Sequence, residues 1–156
     1  MAVTMFEIGD AIADTLNEIG TITIIDGAAV TVYVEGPTEI NEGAPDTPLI
    51  QIYPQTGFVD WSTQTDRTTF RGGVRQEDMT WNIDAYATRR AHFAEDMKAL
   101  LPLIDAITDK LEEQDTKPYF GESAIQSFQW NWTYGVYPMA DGEYVGVRYV
   151  LTTRVF

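Results

Sequence analysis

The first part of the chain has the apolar spacing of an amphipathic helix. Apolar side chains recur at steps of four and three residues, which places them on one helical face: Ile8, Ile12, Leu16 and Ile19. Thr4 and Glu7 match the capping box, in which the threonine and glutamate side chains each bond a backbone N–H of the other residue. Gly20 supplies a stop signal. The sequence therefore predicts a first helix that begins at Thr4 and ends before Gly20.

Several later segments alternate apolar and polar residues at a period of two, which is typical of strands with one buried face. We predict strands over residues 21–25, 29–35, 49–53, 79–87, 125–137 and 144–155. Asp26-Gly27 and Asp141-Gly142 have the composition of tight turns, because glycine adopts a positive φ without a steric penalty. The last two strands are therefore expected to form an antiparallel hairpin that closes the sheet.

A second helical pattern lies before this final hairpin. Its apolar residues are Phe93, Met97, Leu100, Leu101, Ile104, Ile107 and Leu111, with polar residues elsewhere on the circumference. Pro102 interrupts the pattern, because proline removes the backbone hydrogen bond to the carbonyl of Lys98 and crowds it. We therefore expect a kink or a short break in this helix.

The order of elements is a helix, several strands, one long helix and two strands. Because there are only two main helices, we expect them to pack on one face of a mostly antiparallel, mixed sheet. This arrangement defines an α+β fold. A long arm or hairpin follows the third strand, up to residue 75. A chain of 156 residues with 44% apolar residues suits a single domain, residues 1–156.

The charge balance restricts the possible partners. The formal net charge is −14, from 24 acidic and 10 basic residues. Nucleic-acid binders need clustered positive charge, so specific DNA or RNA binding is not expected. The acidic surface is either an adaptation to high salt or a means of staying soluble and repelling nearby DNA. The chain has no cysteine, which excludes disulfides and thiolate zinc sites, and we predict no secretory signal and no membrane span.

A search for catalytic chemistry gives no enzyme prediction. His92 is the only histidine, and no serine among Ser62, Ser123 and Ser127 has the surroundings of a catalytic nucleophile. Three acidic residues share one surface of the second predicted helix: Asp105, Asp109 and Glu112. A hard cation would need further oxygen ligands from loops, so a solvated helix face is expected there. We predict no catalytic residue, no metal site and no cofactor.

Aromatic residues form a row on one face of the predicted strand 125–137. The row consists of Trp130, Trp132 and Tyr134, and polar residues occupy the other face. Such a row could stack on sugar rings, or it could be buried in the core or in a subunit contact. We favour the core or a subunit contact, because a polar opposite face is typical of a half-buried strand.

The segment from residue 56 to 75 concentrates aromatic residues and arginines. These residues are Phe58, Trp61, Arg67, Phe70, Arg71 and Arg75. Aromatic residues and arginine are enriched at the energetic centres of protein interfaces, and long connections are often functional. We therefore expect this segment to dock on the carboxylates of a neighbouring subunit, with Asp105, Asp109 and Glu112 as candidate partners. The alternative is an ordinary hairpin that extends the sheet.

The layout of the chain resembles that of the tail terminator proteins of long-tailed, siphovirus-like phages and related tailed viruses. The resemblance lies in the amphipathic first helix, the alternating strand 79–87, the helix through Leu100-Leu101-Pro102-Leu103-Ile104-Asp105-Ala106-Ile107, and the final hairpin. It spans nearly the whole chain, and it depends on the order and pattern of elements.

This resemblance implies a structural role. Members of the family form a hexameric ring on the head-proximal end of the tail tube, stop tube growth and join the tail to the head. It implies as partners other copies of the chain, the tail tube protein and a head–tail connector or stopper, with DNA passing through the lumen. It implies a virion location after assembly in the host cytoplasm, and no catalytic residue.

Three other functions remain open. A head-to-tail connector or adaptor subunit of the neck would have a similar size and would also form a ring. A carbohydrate-binding module would use Trp130, Trp132 and Tyr134. A small hydrolase that depends on His92 is the third.

Overall fold

The structure is a computed structural model that describes residues 3–40, 46–60, 76–139 and 141–155, with the backbone alone for residues 58–60 and 76. The elements in chain order are α1 (Met5–Asn17), β1 (Thr21–Thr23), β2 (Ala29–Thr31), β3 (Tyr33–Glu35), β4 (Leu49–Asp60), β5 (Gln76–Arg89), α2 (Phe93–Glu112), a short 3-10 helix (Tyr119–Gly121), β6 (Ile125–Met139) and β7 (Gly142–Val155). None of the helices in these described ranges is long and apolar enough to cross a membrane.

The start and end of α1 confirm the sequence prediction. The Thr4 hydroxyl accepts a hydrogen bond from the Glu7 backbone N–H at 3.1 Å, and the Thr4 backbone N–H donates to Glu7 Oε2 at 2.6 Å. The Thr4 hydroxyl also donates to Glu7 Oε2 at 2.9 Å, and the two bonds that this carboxylate accepts, chiefly the one from the backbone, lower the pKa of Glu7. The helix ends at Asn17, and Gly20 beyond it has a φ of +64°. Local chemistry therefore determines the bounds of α1.

The main sheet has five strands in the order β3-β4-β5-β7-β6. β3 pairs with β4 in parallel, and the other neighbours pair antiparallel. β1 and β2 form a separate two-stranded antiparallel sheet. The predicted α+β class with a mixed, mostly antiparallel sheet is confirmed.

The prediction of one strand over residues 29–35 is wrong. This segment divides into β2 and β3, which belong to different sheets. The change of partner takes place at Val32, whose backbone N–H donates to the Gly20 carbonyl, while that of Tyr33 donates to the Pro48 carbonyl. Alternation along a sequence indicates extended backbone, but it does not indicate which strand will pair with it.

β4 and β5 form a longer hairpin than the sequence predicted. β4 continues past residue 53 to Asp60, and the ladder ends at the pair Asp60 and Gln76, with one irregularity between Pro54 and Thr56. The backbone of Phe58 therefore belongs to β4. Trp61, Arg67, Phe70, Arg71 and Arg75 lie outside the described residues. The base of the predicted arm is thus a regular extension of the sheet, as in the hairpin alternative.

One core cluster contains apolar residues of both long helices and of the main sheet. α1 contributes Ile8, Ile12 and Leu16, α2 contributes Leu100, Leu103, Ile104, Ile107 and Leu111, and β5 contributes Met79, Trp81, Ile83, Ala85 and Ala87. α1 approaches the sheet closely at Gly9, where an added Cβ would lie 2.9 Å from the Trp81 ring. A residue without a side chain is therefore needed at this contact.

α2 continues through Pro102 as one helix of 20 residues. The sequence predicted a kink or a short break at Pro102, and the structure shows no break there. The final hairpin is as predicted, since β6 and β7 pair antiparallel along their length and Gly142 has a φ of +148°.

Candidate functional site

β6 is an edge strand of the main sheet, and its sequence is unusual for that position. Its 15 residues include no charged side chain, although 22% of the chain is charged. From Ser127 to Met139 it pairs with β7 without a register shift. Exposed edges are usually protected by charges, prolines, bulges or short length, because an unprotected edge pairs with other chains. In β6, Pro138 and the irregularity near Ile125 are confined to the two ends.

The opposite edge of the sheet is protected in the expected way. β3 has only three residues, and β4 contains Pro54 and the irregularity that follows it. Both features are typical of edges that do not pair further. The two edges of one sheet therefore differ, and β6 is the one suited to a protein contact.

The aromatic row on β6 is divided by its surroundings. The Trp130 ring is half-buried and lies 5.9 Å from the Tyr149 ring, centre to centre. Trp132 is 44% exposed and Tyr134 is 55% exposed, and Val136 continues the row at 45%. The row therefore belongs to the core at its start and to the surface further along.

The exposed end of the row lies beside the N-terminal part of α2. Tyr134 and Val136 line one surface pocket together with Phe93 and Met97. Among the large apolar residues whose side chains the structure describes, Phe93 is the most exposed, at 72%. This apolar surface between α2 and β6 continues the β6 edge of the sheet.

A ridge of residues at successive steps of four and three runs along the surface of α2, and we call it the α2 stripe. It consists of Phe93, Met97, Leu101, Asp105, Asp109 and Glu112. Its first half is apolar, with Leu101 47% exposed, and its second half consists of three exposed carboxylates. Each step of four residues turns about 40° around a helix, so the stripe winds from Phe93, beside β6, to the exposed carboxylates further along. The stripe therefore connects the predicted acidic residues to an apolar surface on another side of the helix.

The three carboxylates of the stripe have no hydrogen-bond or ion-pair partner within the described ranges. Among the described residues, the side chains of Asp105, Asp109 and Glu112 make no hydrogen bond and no ion pair. Lys110 lies between them in sequence, but it pairs with Glu18 and Glu113 instead. The predicted partners in the segment 61–75 lie outside the described residues, so their contact with the stripe stays a prediction.

The structure offers little for catalysis or metal binding in the part of the chain that it describes. His92 is exposed at the N-cap of α2 and makes no capping bond through its side chain. Ser123 and Ser127 are both exposed, and Ser62 lies outside the described residues. Within the described ranges no group of three or more metal-ligating side chains comes together.

The sequence identifies the three carboxylates and the aromatic row, but not the exposed apolar residues Phe93, Leu101 and Val136. The spacing of these residues is that of buried positions. The absence of charge over the whole of residues 125–139 was the available signal. It identifies an adhesive strand only when the strand is known to lie at a sheet edge.

No protein-family model matches this chain, and no curated protein matches it. The features that bear on function are therefore the α2 stripe and β6.

Proposed function

We propose that the chain is a structural virion protein that assembles with copies of itself into a ring. The observation that supports this proposal is the uncharged, aromatic edge strand β6, with Trp132 and Tyr134 exposed on it. A long and unprotected edge that continues into an apolar patch is a typical site of protein association. Such a surface on an otherwise strongly acidic chain favours assembly over a solitary existence.

The energetics require more than this apolar patch. Full burial of a large apolar side chain contributes roughly 1.5–3 kcal/mol. Burial of the half-exposed side chains of Trp132, Tyr134 and Val136 would therefore contribute about 2–4 kcal/mol together. Association costs at least about 4 kcal/mol in lost translational and rotational freedom. A stable contact therefore also needs main-chain pairing along β6 or charge pairing on the α2 stripe.

Within this proposal the ring is a tail terminator. It caps the head-proximal end of the tail tube, ends tube polymerisation and joins the tail to the head. The resemblance in element order supports this role, and the α+β fold with its final hairpin is compatible with it. The proposed partners are further copies of the chain in a hexamer, the tail tube protein and the head–tail connector or stopper.

The acidic composition suits the same role. A net charge of −14 disfavours adhesion to phosphate backbones, so DNA could pass through the lumen of such a ring without specific binding. The proposed location is the tail or neck of a virion that is assembled in the host cytoplasm. The proposed role needs no catalytic residue and no cofactor.

Electron microscopy of the purified chain, alone and mixed with tail tubes, tests the proposal. We expect rings of uniform diameter in the free protein and one ring at one end of each tube. Rings that attach to heads and ignore tubes would instead indicate the connector or adaptor role. A chain that stays monomeric and turns over a small molecule would contradict both roles.

A carbohydrate-binding module is the second candidate, since Trp132 and Tyr134 are exposed side by side on one strand face. Two rings of this kind can stack on sugars. Trp130 would add little to such a site, because its ring packs beside Tyr149. Glycan-array binding by a monomer that loses affinity in Trp132→Ala would favour this candidate over the ring.

A further inference from the structure

The cations of the described residues are already engaged within the chain. Five of them form ion pairs with carboxylates: Arg90, Lys98, Lys110, Arg148 and Arg154. Arg89 donates to the Asp141 carbonyl and Lys117 donates to Gln126 Oε1. The other basic residues of the chain are Arg67, Arg71 and Arg75, in the segment 61–75.

The net charge of the segment 61–75 is opposite in sign to that of the rest of the chain. The segment 61–75 contains three arginines and one aspartate, so its formal charge is +2 and the rest of the chain has −16. The three carboxylates of the α2 stripe have no cation within the described residues. A positive segment and an unpaired acidic surface therefore occur on the same chain.

The Phe93 end of the α2 stripe is beyond the reach of this segment in its own chain. Residues 61–75 are fixed at both ends, because Asp60 and Gln76 pair with each other. A loop of that length extends at most about 29 Å from its base. Val136 lies level with Thr88 of β5, because both residues pair with Val145. Thr88 is 12 residues from Gln76 along β5, which puts it about 40 Å from the base of the loop. A second copy can bring the segment to this end of the stripe.

The composition of the segment suits the stripe. The stripe runs from Phe93 to Glu112, which is about 28 Å along a helix. The segment combines two aromatic residues, Trp61 and Phe70, with the three arginines. The stripe and the neighbouring part of β6 combine apolar side chains with three carboxylates. The segment and the stripe are therefore complementary in apolar character and in charge.

We propose that the α2 stripe and the exposed part of β6 receive the segment 61–75 of a second copy of this chain. Arg67, Arg71 and Arg75 face Asp105, Asp109 and Glu112, and Trp61 and Phe70 cover the apolar surface of Phe93, Leu101 and Tyr134. Since the donor and acceptor surfaces differ, the contact is head-to-tail, as a ring requires. This inference rests on the proposed self-assembly, and it identifies the surfaces that would carry it.

A charge-swap experiment in the full-length chain tests the inference. The stripe variant is Asp105→Arg/Asp109→Arg, and the segment variant is Arg71→Glu/Arg75→Glu. Each variant alone places like charges against each other at every contact, so we expect at least a tenfold loss of assembly by sedimentation velocity. An equal mixture restores opposite charges at every contact, so we expect assemblies with equal numbers of the two variants by native mass spectrometry.

The matched control is Asp10→Arg/Asp14→Arg, which reverses an acidic pair at the same four-residue spacing on α1. This control changes the net charge by the same amount as the stripe variant. Mixed with the segment variant, it should not restore assembly. The variants Asp105→Asn/Asp109→Asn remove the charge at nearly constant volume and replace the arginine variants if those do not fold.

Three results would overturn the inference: variants that assemble like the wild type, a mixture that does not recover, or a control mixture that recovers equally well. A wild-type chain that remains monomeric would instead overturn the proposed function, and this inference with it. The two failures are therefore distinguishable.

Discussion

Asp84 of β5 and Arg148 of β7 face each other across the sheet and form a two-bond ion pair. Arg148 Nε lies 2.7 Å from Asp84 Oδ1, and Nη2 lies 2.9 Å from Oδ2. The Asp84 side chain is only 2% exposed, and the Tyr53 hydroxyl also donates to it. This carboxylate thus has three donors in a nearly dry environment, and the hydrogen bond and charge of Asp84 raise the pKa of Arg148 above its usual range.

Loss of this pair should destabilise the fold. We expect Asp84→Ala to lower the free energy of unfolding by about 2–3 kcal/mol, less than for a fully buried pair because Arg148 is 40% exposed. Asp78→Ala is the matched control, since Asp78 pairs with Arg154 in the same cross-strand geometry but is 28% exposed. That control should cost at most about 1 kcal/mol. Urea denaturation at neutral pH gives both values, and equal losses would contradict the role of burial.

Gly9→Ala should destabilise the contact between α1 and the sheet. An added Cβ would lie 2.9 Å from the Trp81 ring, with the Pro37 side chain closer still. Alanine favours a helix over glycine by about 1 kcal/mol, but overpacking costs about 1–3 kcal/mol, so we expect a net loss of about 1 kcal/mol. Thermal unfolding measures this loss. Gly57→Ala is the control, because the nearest atom to its added Cβ would be the Asp78 carbonyl oxygen at 3.8 Å. A Gly9→Ala variant that is more stable than the wild type would disprove the close contact.

Stability should fall in alkaline solution. Burial raises the pKa of Tyr149 from 10.0 to about 12, and its hydroxyl donates to the Ile104 carbonyl at 3.0 Å. Above about pH 10 the unfolded chain loses this proton and the folded chain keeps it, so folding stability decreases with rising pH up to about pH 12. Urea denaturation between pH 9 and pH 12 tests this, and Tyr149→Phe should show a shallower decrease. An unchanged slope in that variant would show that Tyr149 does not contribute.

The bounds of α1 and the final hairpin could be predicted from the sequence because they depend on local chemistry: Thr4 bonds Glu7, and Gly142 takes the positive φ of a turn. Contacts between residues that are distant in sequence could not be predicted in this way. Asp84 and Arg148 meet only because β5 and β7 pair in one particular register. Alternation alone likewise gives Trp130 and Trp132 the same face, and only their neighbours in space make one half-buried and the other exposed.

Substitution of the exposed aromatic residues of β6 should weaken assembly without unfolding the chain. We expect Trp132→Ser/Tyr134→Ser to reduce association at least tenfold, because the lost apolar burial is about 1.5–3 kcal/mol and 1.4 kcal/mol corresponds to a factor of ten. Ile25→Ser is the control, since Ile25 is 61% exposed and lies outside β6 and the α2 stripe. Size-exclusion chromatography with light scattering gives the masses. Equal effects of both substitutions would remove β6 from the account.

Sedimentation velocity of the wild-type chain over a range of concentrations shows whether the chain self-assembles. We expect a monomer in equilibrium with one closed assembly of fixed subunit number, with little of any intermediate size. A single monomeric species at every concentration would contradict it.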